Sequence, residues 1–173
     1  MSKASESRLE EGIRFEPIRD ESLLSQAMDL CQDSGAVPSG PSFRAQAQYL
    51  TWIAALRGDR LIGAICFECP DEEGQVVLSA IARVPDEAGR GVGKGLLRSL
   101  ESDVNGDFVI VGTVERNNES AVCFYKREGF TLEPNPRRQD CWWFKSGRPC
   151  EPIETRTSAI AWDTPPPKDL PSR

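Results

Sequence analysis

The stretch that determines the fold is Gly89-Arg90-Gly91-Val92-Gly93-Lys94-Gly95, in which glycine recurs at every second position. An apolar segment, Val76–Val84, precedes it, and Leu96-Leu97 follows it in a helical pattern. This order predicts a strand, a glycine loop and the N-terminus of a helix. Glycine lets the backbone approach a ligand closely, and the first N–H groups of a helix point outward without helical partners. Together with the helix dipole, these features predict a site for a phosphorylated molecule.

The spacing of the loop excludes the two common nucleotide-binding motifs. The dinucleotide fingerprint G-x-G-x-x-G is not matched, because Gly91, Gly93 and Gly95 lie two positions apart. In the phosphate loop G-x-x-x-x-G-K-[ST] the lysine precedes Ser or Thr, whereas Lys94 precedes a glycine. The loop alone therefore leaves the phosphorylated molecule open, and a merely flexible glycine-rich loop remains the alternative.

The composition is typical of one globular domain, with 173 residues, 39% hydrophobic and 28% charged. The net charge of −6 disfavours nucleic acid as a partner, since phosphate contacts need a basic surface. It is compatible with a cationic substrate such as an amine, although solubility alone also explains it. We find no apolar run of membrane-spanning length and no secretory signal, so we expect a cytoplasmic protein that binds no membrane.

The chain contains no histidine, and this removes many mechanisms. Ser-His-Asp and Cys-His catalysis are excluded in their usual form, as are histidine-ligated metal sites. A general base must then be Asp, Glu, Tyr, Cys, Lys, a backbone carbonyl or water. The Cys66-x-x-Cys69 spacing suits a metal, but no second pair accompanies it, so we expect no metal. We expect reduced thiols at all six cysteines: Cys31, Cys66, Cys69, Cys123, Cys141 and Cys150.

Apolar periodicity predicts an α/β (α+β) fold, a mixed central sheet of about seven strands with flanking helices. The fourth and fifth strands are joined through the helix that follows the glycine loop, so they form a β-α-β unit and should lie parallel. The predicted strands are Ile13–Ile18, Thr51–Leu56, Leu61–Glu68, Val76–Val84, Phe108–Val114, Phe130–Leu132 and Cys141–Phe144. The predicted helices run from the cap Asp20 to Asp33, and over Phe43–Tyr49, Gly93–Val104 and Ala121–Arg127.

Three regions follow from the composition along the chain. Residues 1–12 are polar and predict a disordered lead, residues 13–145 form the domain, and residues 146–173 form a Pro-rich tail. A short docked strand is predicted over Ser158–Trp162. The tail either covers the active site or docks on a neighbouring subunit, and a homodimer stays open.

A second motif identifies the family that the chain resembles. It consists of Asn118, Ala121 three residues later, Tyr125 after four more, and then Gly129-Phe130. This pattern resembles the C-terminal motif of the GNAT superfamily of acetyl-CoA-dependent N-acetyltransferases. The glycine loop is similar to the coenzyme pyrophosphate motif of that family, Arg/Gln-x-x-Gly-x-Gly/Ala. The resemblance covers the chain from Ile13 to about Phe144, and it implies the GNAT fold with a splayed parallel pair of strands.

The resemblance implies acetyl-CoA as the co-substrate. The loop amides would hold its pyrophosphate, and the edge of the strand before the loop would pair with pantetheine. Tyr125 would protonate the leaving thiolate, which suits a phenol because its pKa near 10 exceeds that of a thiol near 8.5, so the phenol stays protonated at neutral pH. The coenzyme contacts expected from the resemblance are Ile81, Ala82, Arg83, Val84, Gly89, Arg90, Gly91, Val92, Gly93, Lys94, Asn118 and Tyr125.

The glycine loop departs from the family at one position. Aligning Gly91 and Gly93 with the family glycines places Ala88 where Arg or Gln is usual. The motif can also start at Arg90, but the first register keeps Leu96-Leu97 at the family's apolar positions. In that register Arg90 or Lys94 would take over the missing contact with the pyrophosphate.

The general base is the second departure. Where some family members carry Glu on the strand before the loop, this chain offers Ser79, and ribosomal-protein acetyltransferases have Glu where it has Thr113. Glu68 and Glu115 are the remaining carboxylates near the central strands, and Glu68 is the predicted catalytic base, with a water relay as the equal alternative. Either Trp142 and Trp143 line the amine pocket, or one of them packs into the core and the other lies over the edge of the sheet.

These features predict an N-acetyltransferase that moves acetyl from acetyl-CoA to a primary amine of a small molecule, by direct transfer in a ternary complex. A protein N-terminal or lysine amine is the competing acceptor. A catalytically weak acyl-CoA-binding interaction protein is favoured by Ala88 and the missing base, and disfavoured by Tyr125, Asn118 and the intact glycines. A transfer-RNA-acetylating toxin is disfavoured by the acidic charge.

Overall fold

The computed structural model describes residues 12–37, 41–69, 74–104 and 107–146, which form a seven-stranded sheet and four α-helices. The strands are β1 Ile13–Pro17, β2 Thr51–Arg57, β3 Arg60–Glu68, β4 Gln75–Arg83, β5 Val109–Glu115, β6 Phe130–Pro134 and β7 Cys141–Ser146. The helices are α1 Glu21–Asp33, α2 Pro41–Ala47, α3 Val92–Asp103 and α4 Glu119–Arg127, and a 3-10 turn spans Pro85–Glu87. The predicted lead up to residue 11, the tail beyond Ser146 and the strand predicted over Ser158–Trp162 lie outside the described residues.

The sheet is mixed, and its strand order is β1-β2-β3-β4-β5-β7-β6. Only the pair β4–β5 is parallel among the described strands, and the other neighbours are antiparallel. The predicted seven strands and parallel β-α-β unit are therefore confirmed. The predicted final pair is also antiparallel, but β7 inserts between β5 and β6, an order that local patterns do not contain.

Capping residues set the starts of the helices. Asp20 caps α1 as predicted, because its Oδ1 accepts a hydrogen bond from the Leu23 N–H at 2.9 Å. The prediction for α2 is wrong by two residues at each end, since the helix begins at Pro41, where proline fits the first turn. The start predicted for α4 is also two residues late, because Asn118 accepts from the Ala121 N–H and the helix begins directly after it.

Two hydrophobic cores lie on the two faces of the sheet. The first lies under α3 and α4 and contains Phe67, Leu78, Leu96, Leu100, Ile110, Tyr125 and Phe144 among others. The second lies under α1 and α2 and contains Ala27, Cys31, Phe43, Trp52, Cys66, Ala80 and Ala82 among others. Trp52 also donates from its indole N–H to the Ala47 carbonyl at 2.8 Å, which fixes the end of α2 on the sheet.

A β-bulge changes the face that β4 presents to each core. Cys66 of β3 lies opposite Ala80, whereas the next residue, Phe67, lies opposite Leu78, so Ser79 is the extra residue of β4. In a regular strand, Leu78 and Ala80 would share a face because side chains alternate with a period of two. The bulge instead places Leu78 in the first core and Ala80 in the second.

Candidate functional site

The parallel strands β4 and β5 separate shortly after they begin to pair. Their register covers three residue pairs, from Gln75 with Val109 to Val77 with Val111, although β4 continues to Arg83 and β5 to Glu115. Beyond Val77, the register of β4 in the described structure is with β3, so its other edge is left for a ligand in extended conformation. The predicted splayed pair is thus present. We call the gap between β4 and β5 beyond Val77 and Val111 the splay, and the bulge lies where this gap begins.

The alternating glycines of the loop serve two different purposes. Gly89 and Gly91 have φ angles of +74° and +78°, in the left-handed region that favours glycine, and Gly91 is the N-cap of α3. Gly93 and Gly95 instead make room for aromatic rings. A Cβ atom at Gly93 would lie 2.9 Å from the ring of Phe124, and one at Gly95 would lie 2.0 Å from the ring of Phe15. The loop therefore turns sharply and then enters a helix that packs closely on both sides.

The N-terminus of α3 fits an anion. The first intrahelical bond runs from the Gly95 N–H to the Gly91 carbonyl at 2.8 Å, so the preceding N–H groups of the first turn have no helical partner. A Cβ atom at Gly91 would meet no heavy atom within 4 Å, which leaves the approach to these donors open. The exposed side chains of Arg90 and Lys94 add two positive charges beside them. Backbone donors, dipole and cations together suit a phosphate or pyrophosphate group.

Tyr125 lies on the same face of the sheet, inside the first core. It is 5% exposed, and its ring contacts those of Phe124, Phe130 and Phe144. Burial raises the pKa of its phenol well above the ordinary value of about 10, because the phenolate would lose its hydration. The group therefore stays protonated at neutral pH, as a proton donor must.

Close packing connects Tyr125 with the splay between β4 and β5. Gly112 of β5 has no side chain, and a Cβ atom there would lie 2.3 Å from the ring of Phe144 and 2.9 Å from the Leu78 carbonyl oxygen. Phe144 therefore lies over Gly112, next to the residue of β4 where parallel pairing ends. Since Tyr125 stacks on Phe144, the Phe144 ring lies between Tyr125 and the opening of the splay.

Asn118 is three residues beyond the end of β5 and is the N-cap of α4. Its carbonyl oxygen is used in capping α4, with the Ala121 N–H at 3.1 Å. The amide nitrogen of the same side chain still carries two donors for a ligand. Its predicted contact with a coenzyme stays a prediction.

A cleft of about 1280 Å³ opens on the opposite face of the sheet, between the α1–α2 region and the connection from β6 to β7. The start of the splay forms its floor, through Leu78 and Ser79 of β4 and Gly112 and Thr113 of β5. Tyr49, which is 83% exposed, lies on the helix side of the cleft. The splay therefore joins this cleft to the face that carries the glycine loop.

Glu68 and Glu115, the two carboxylates considered as the general base, lie at different places in the structure. Glu68 lies at the end of β3 and lines the cleft, where it is opposite Val77, the last residue of β4 that pairs with β5. Glu115 lies at the far end of β5 and is not part of the cleft wall. Ser79 and Thr113 both line the cleft. Glu68 and Tyr125 lie on opposite faces of the sheet. Both can act on the same reaction only if a substrate passes through the splay.

Glu133 is a further carboxylate of the cleft that was not among the predicted site residues. It lies in β6 opposite Trp143 of β7, and both line the cleft. The sequence could have indicated this position, because side chains of a strand alternate between faces and Glu133 must then lie on the face opposite Phe130. Of the two neighbouring tryptophans, Trp142 packs on the first core, with the Arg116 guanidinium 4.4 Å from its ring centre, and Trp143 faces the cleft.

Cys66 and Cys69 lie in different environments, since Cys66 is buried in the second core and Cys69 is exposed beyond the end of β3. Within residues 12–37, 41–69, 74–104 and 107–146, we find no cluster of three or more His, Cys, Asp or Glu side chains that could hold a metal ion. The described helices include none that is long and apolar enough to cross a membrane. Cys150 lies outside the described part.

Comparison with known proteins supports the same family as the two motifs. The family model described as an acetyltransferase (GNAT) domain matches residues 47–132. No curated protein matches the chain by sequence.

Three solved structures share the fold. Arabidopsis thaliana Naa50, in complex with the bisubstrate analogue CoA-Ac-MVNAL, is 24% identical with a TM-score of 0.61, over 79% of this chain and 99% of that one. The PaiA N-acetyltransferase of Thermoplasma acidophilum, in complex with coenzyme A, is 17% identical with a TM-score of 0.61, over 79% and 99%. The ribosomal-protein-S18-alanine N-acetyltransferase of Escherichia coli is 18% identical with a TM-score of 0.63, over 78% and 93%.

Proposed function

Because the chain belongs to the GNAT superfamily of acetyl-CoA-dependent acyltransferases, we propose that it transfers acetyl from acetyl-CoA to a primary amine held in the cleft. The observation that carries this proposal is the splay between β4 and β5. It joins the glycine loop and Tyr125 on one face of the sheet to a cleft of about 1280 Å³ on the other. A thioester that passes through the splay would present its carbonyl carbon to an amine in the cleft.

The coenzyme would be held by groups of three kinds. The N–H groups of Val92, Gly93 and Lys94 would bind the pyrophosphate at the N-terminus of α3, with Arg90 beside them. The edge of β4 from residue 81 to Arg83, together with Val84 after it, would form backbone hydrogen bonds with the extended pantetheine arm, since the opposite edge of β4 already pairs with β3. The Asn118 amide would contact the same arm at the end of β5.

Tyr125 would act as the general acid. When the amine nitrogen bonds to the acetyl carbon and the carbon–sulfur bond breaks, the thiolate takes the phenolic proton. Burial raises the pKa of the phenol, so Tyr125 is protonated at neutral pH and a proton is available when the carbon–sulfur bond breaks.

Glu68 would act as the general base. A primary alkylammonium has a pKa near 10.4 and must lose a proton before its nitrogen can attack. Glu68 is the carboxylate that lines the cleft next to the start of the splay, where it can accept this proton directly or through a water molecule. The hydroxyl groups of Ser79 and Thr113 can position that water, because both line the same cleft.

The acceptor that we propose first is a small amine. Glu68 and Glu133 place a carboxylate on each side of the splay, and the Trp143 ring supplies a face that attracts cations. Arg137 and Arg138 also line the cleft, so the amine would be attracted by these local groups and not by a net negative charge of the wall. A second candidate is the amine of a protein N-terminus or lysine. It is favoured by the size of the cleft, which exceeds the roughly 300–1,000 Å³ of most small-molecule sites.

Two measurements test the proposed function in sequence. Calorimetric titration with coenzyme A should show binding, and thiol release from acetyl-CoA should then rise with an amine from a panel of small amines and short peptides. Turnover with small amines supports the first acceptor, and turnover with peptides alone supports the second. Binding without turnover for any amine favours the interaction protein, and absence of coenzyme binding contradicts the proposal altogether.

A further inference from the structure

A buried carboxylate lies directly before the glycine loop. Glu87 closes the 3-10 turn Pro85–Glu87 and is 3% exposed. Arg57 at the end of β2 holds it through two hydrogen bonds, from Nε to Oε1 at 3.2 Å and from Nη2 to Oε2 at 2.8 Å. A bidentate arginine–carboxylate pair of this kind fixes both groups in orientation and in distance.

A second arginine faces the same carboxylate from within the loop. The Arg90 Nε lies 3.8 Å from the Glu87 Oε2, while the Arg90 side chain is 58% exposed. The backbone N–H of Arg90 also donates to the Glu87 carbonyl at 3.4 Å. Glu87 thus lies beside Nε of the guanidinium, while more than half of the Arg90 side chain is exposed to solvent.

The balance of charge decides whether this cluster attracts or repels an anion. Glu87 alone would repel a pyrophosphate at the glycine loop. Arg57 neutralises that carboxylate, and Arg90 then leaves a net charge of +1 in the cluster of three. A cation that is already oriented loses less side-chain entropy on binding a ligand than a freely rotating one.

We infer that Glu87, neutralised by Arg57, positions Arg90 to bind the pyrophosphate of the coenzyme, in place of the side chain that Ala88 lacks. Glu87 is a positioning residue, and Arg90 is the group that touches the ligand. The inference rests on the proposed coenzyme site, which it deepens. It selects Arg90 over Lys94, because an arginine fork matches two phosphate oxygens and Glu87 holds it in place.

A neighbouring ion pair does not carry this role. Arg60 and Asp86 meet at 3.0 Å and join the same hairpin to the same turn, but both side chains are more than half exposed. Exposed pairs contribute little because solvent screens them. The buried position of Glu87 is therefore what makes the Arg57 pair the effective anchor of the loop.

The experiment compares coenzyme A, which contains the pyrophosphate, with S-acetylpantetheine, which does not. Calorimetry gives the Kd of coenzyme A for the wild type, Arg90→Ala, Arg57→Gln/Glu87→Gln and the variant with all three substitutions. We expect a Kd about tenfold higher for Arg90→Ala, the loss of about one charge-assisted hydrogen bond. We expect about threefold to tenfold for Arg57→Gln/Glu87→Gln, which keeps the net charge of the cluster at +1, and no further rise when it is added to Arg90→Ala, because the residues act as one unit. S-acetylpantetheine, which lacks the pyrophosphate, should give the same kcat/KM for Arg90→Ala as for the wild type.

Matched variants keep the test decisive. Arg98→Ala removes the same charge from the exposed side of α3 and should leave the Kd within twofold, whereas Arg90→Lys should recover part of the lost affinity. Arg57 and Glu87 are changed together, because Glu87→Gln alone leaves Arg57 unpaired and raises the net charge of the cluster to +2.

An unchanged Kd for Arg90→Ala would overturn the inference. So would an equal loss of activity with S-acetylpantetheine, since a general disturbance of the fold affects both donors. Absence of coenzyme A binding by the wild type would instead overturn the proposed function, so the two failures are distinguishable.

Discussion

Tyr125 stacks on Phe144, with the ring centroids 4.0 Å apart and the ring planes inclined by 19°. This contact places the proposed proton donor beside the splay, because Phe144 also covers Gly112 on the central strand β5. Tyr125 lies in α4 and Phe144 lies in β7, so their contact depends on the tertiary structure. The stack is therefore a direct consequence of the insertion of β7 between β5 and β6.

Replacing Tyr125 with Phe removes the proposed proton donor and keeps the aromatic ring in the core. We expect kcat to fall about 10²- to 10⁴-fold, the usual contribution of a general acid, with little change in the Kd of coenzyme A. Thiol release with the best amine of the panel measures kcat. A Phe variant that retains half or more of the wild-type kcat would exclude Tyr125 as the acid.

The same substitution predicts a difference in stability at alkaline pH. Because burial raises the pKa of folded Tyr125 above that of the unfolded chain, its contribution to stability is complete below about pH 10 and is lost as the pH rises toward the folded value. Relative to Tyr125→Phe, the wild type should lose up to about 1.4 kcal/mol of unfolding free energy per pH unit above pH 10. Urea unfolding of both proteins between pH 8 and pH 11 measures this, and parallel curves would contradict the burial of the phenol.

Two isosteric substitutions separate the carboxylates of the cleft. Glu68→Gln should lower kcat about 10- to 100-fold at neutral pH, with recovery at higher pH as the amine loses its own proton. Glu133→Gln lies on the other side of the splay and should mainly raise the KM of a cationic acceptor. Steady-state kinetics from pH 6 to pH 10 distinguishes the two, and similar effects of both substitutions would argue against Glu68 as the base.

The close contact between Gly95 and Phe15 predicts a specific loss of stability. In Gly95→Ala the new Cβ would lie 2.0 Å from the Phe15 ring, so the ring or α3 must move, at a cost of about 1–3 kcal/mol. Phe15→Leu should relieve most of this strain when it is combined with Gly95→Ala. Thermal unfolding of the single and double variants tests the contact, and strictly additive losses would contradict it.

The thiols should differ in reactivity. Burial raises the pKa of the Cys31 thiol to about 12 and raises that of Cys66 further, so at pH 8 only about one Cys31 in 10⁴ is a thiolate. Cys69 and Cys123 are exposed. Alkylation followed by mass spectrometry should label these two first, and Cys31 and Cys66 only after unfolding. Early labelling of Cys31 would show that the second core opens under native conditions.

The features that the sequence predicted best are those that short patterns determine. Asp20 and the following amphipathic turns predict α1, and the helix after the glycine loop makes β4 and β5 parallel. The two motifs predicted the family, because their spacing does not depend on distant contacts. The splay was expected through the family resemblance, and the bulge at Ser79 now gives it a structural reason.

The features that the sequence did not predict depend on distant contacts. The even spacing of Val76, Leu78, Ala80 and Ala82 suggests one buried face, but the bulge assigns them to two cores. Glu133 reaches the cleft only because β6 and β7 extend the sheet beyond β5. The cytoplasmic location, the domain limits and a homodimer stay predictions of the sequence.

A crystal structure with bound coenzyme A tests the central claim most directly, since it locates the sulfur and the pyrophosphate together. We predict the pyrophosphate on the N–H groups of Val92–Lys94, the pantetheine arm along β4 in the splay, and the sulfur within about 3.5 Å of the Tyr125 hydroxyl. A coenzyme bound outside the splay, or a sulfur beyond the reach of Tyr125, would contradict the proposed acetyl transfer at this site.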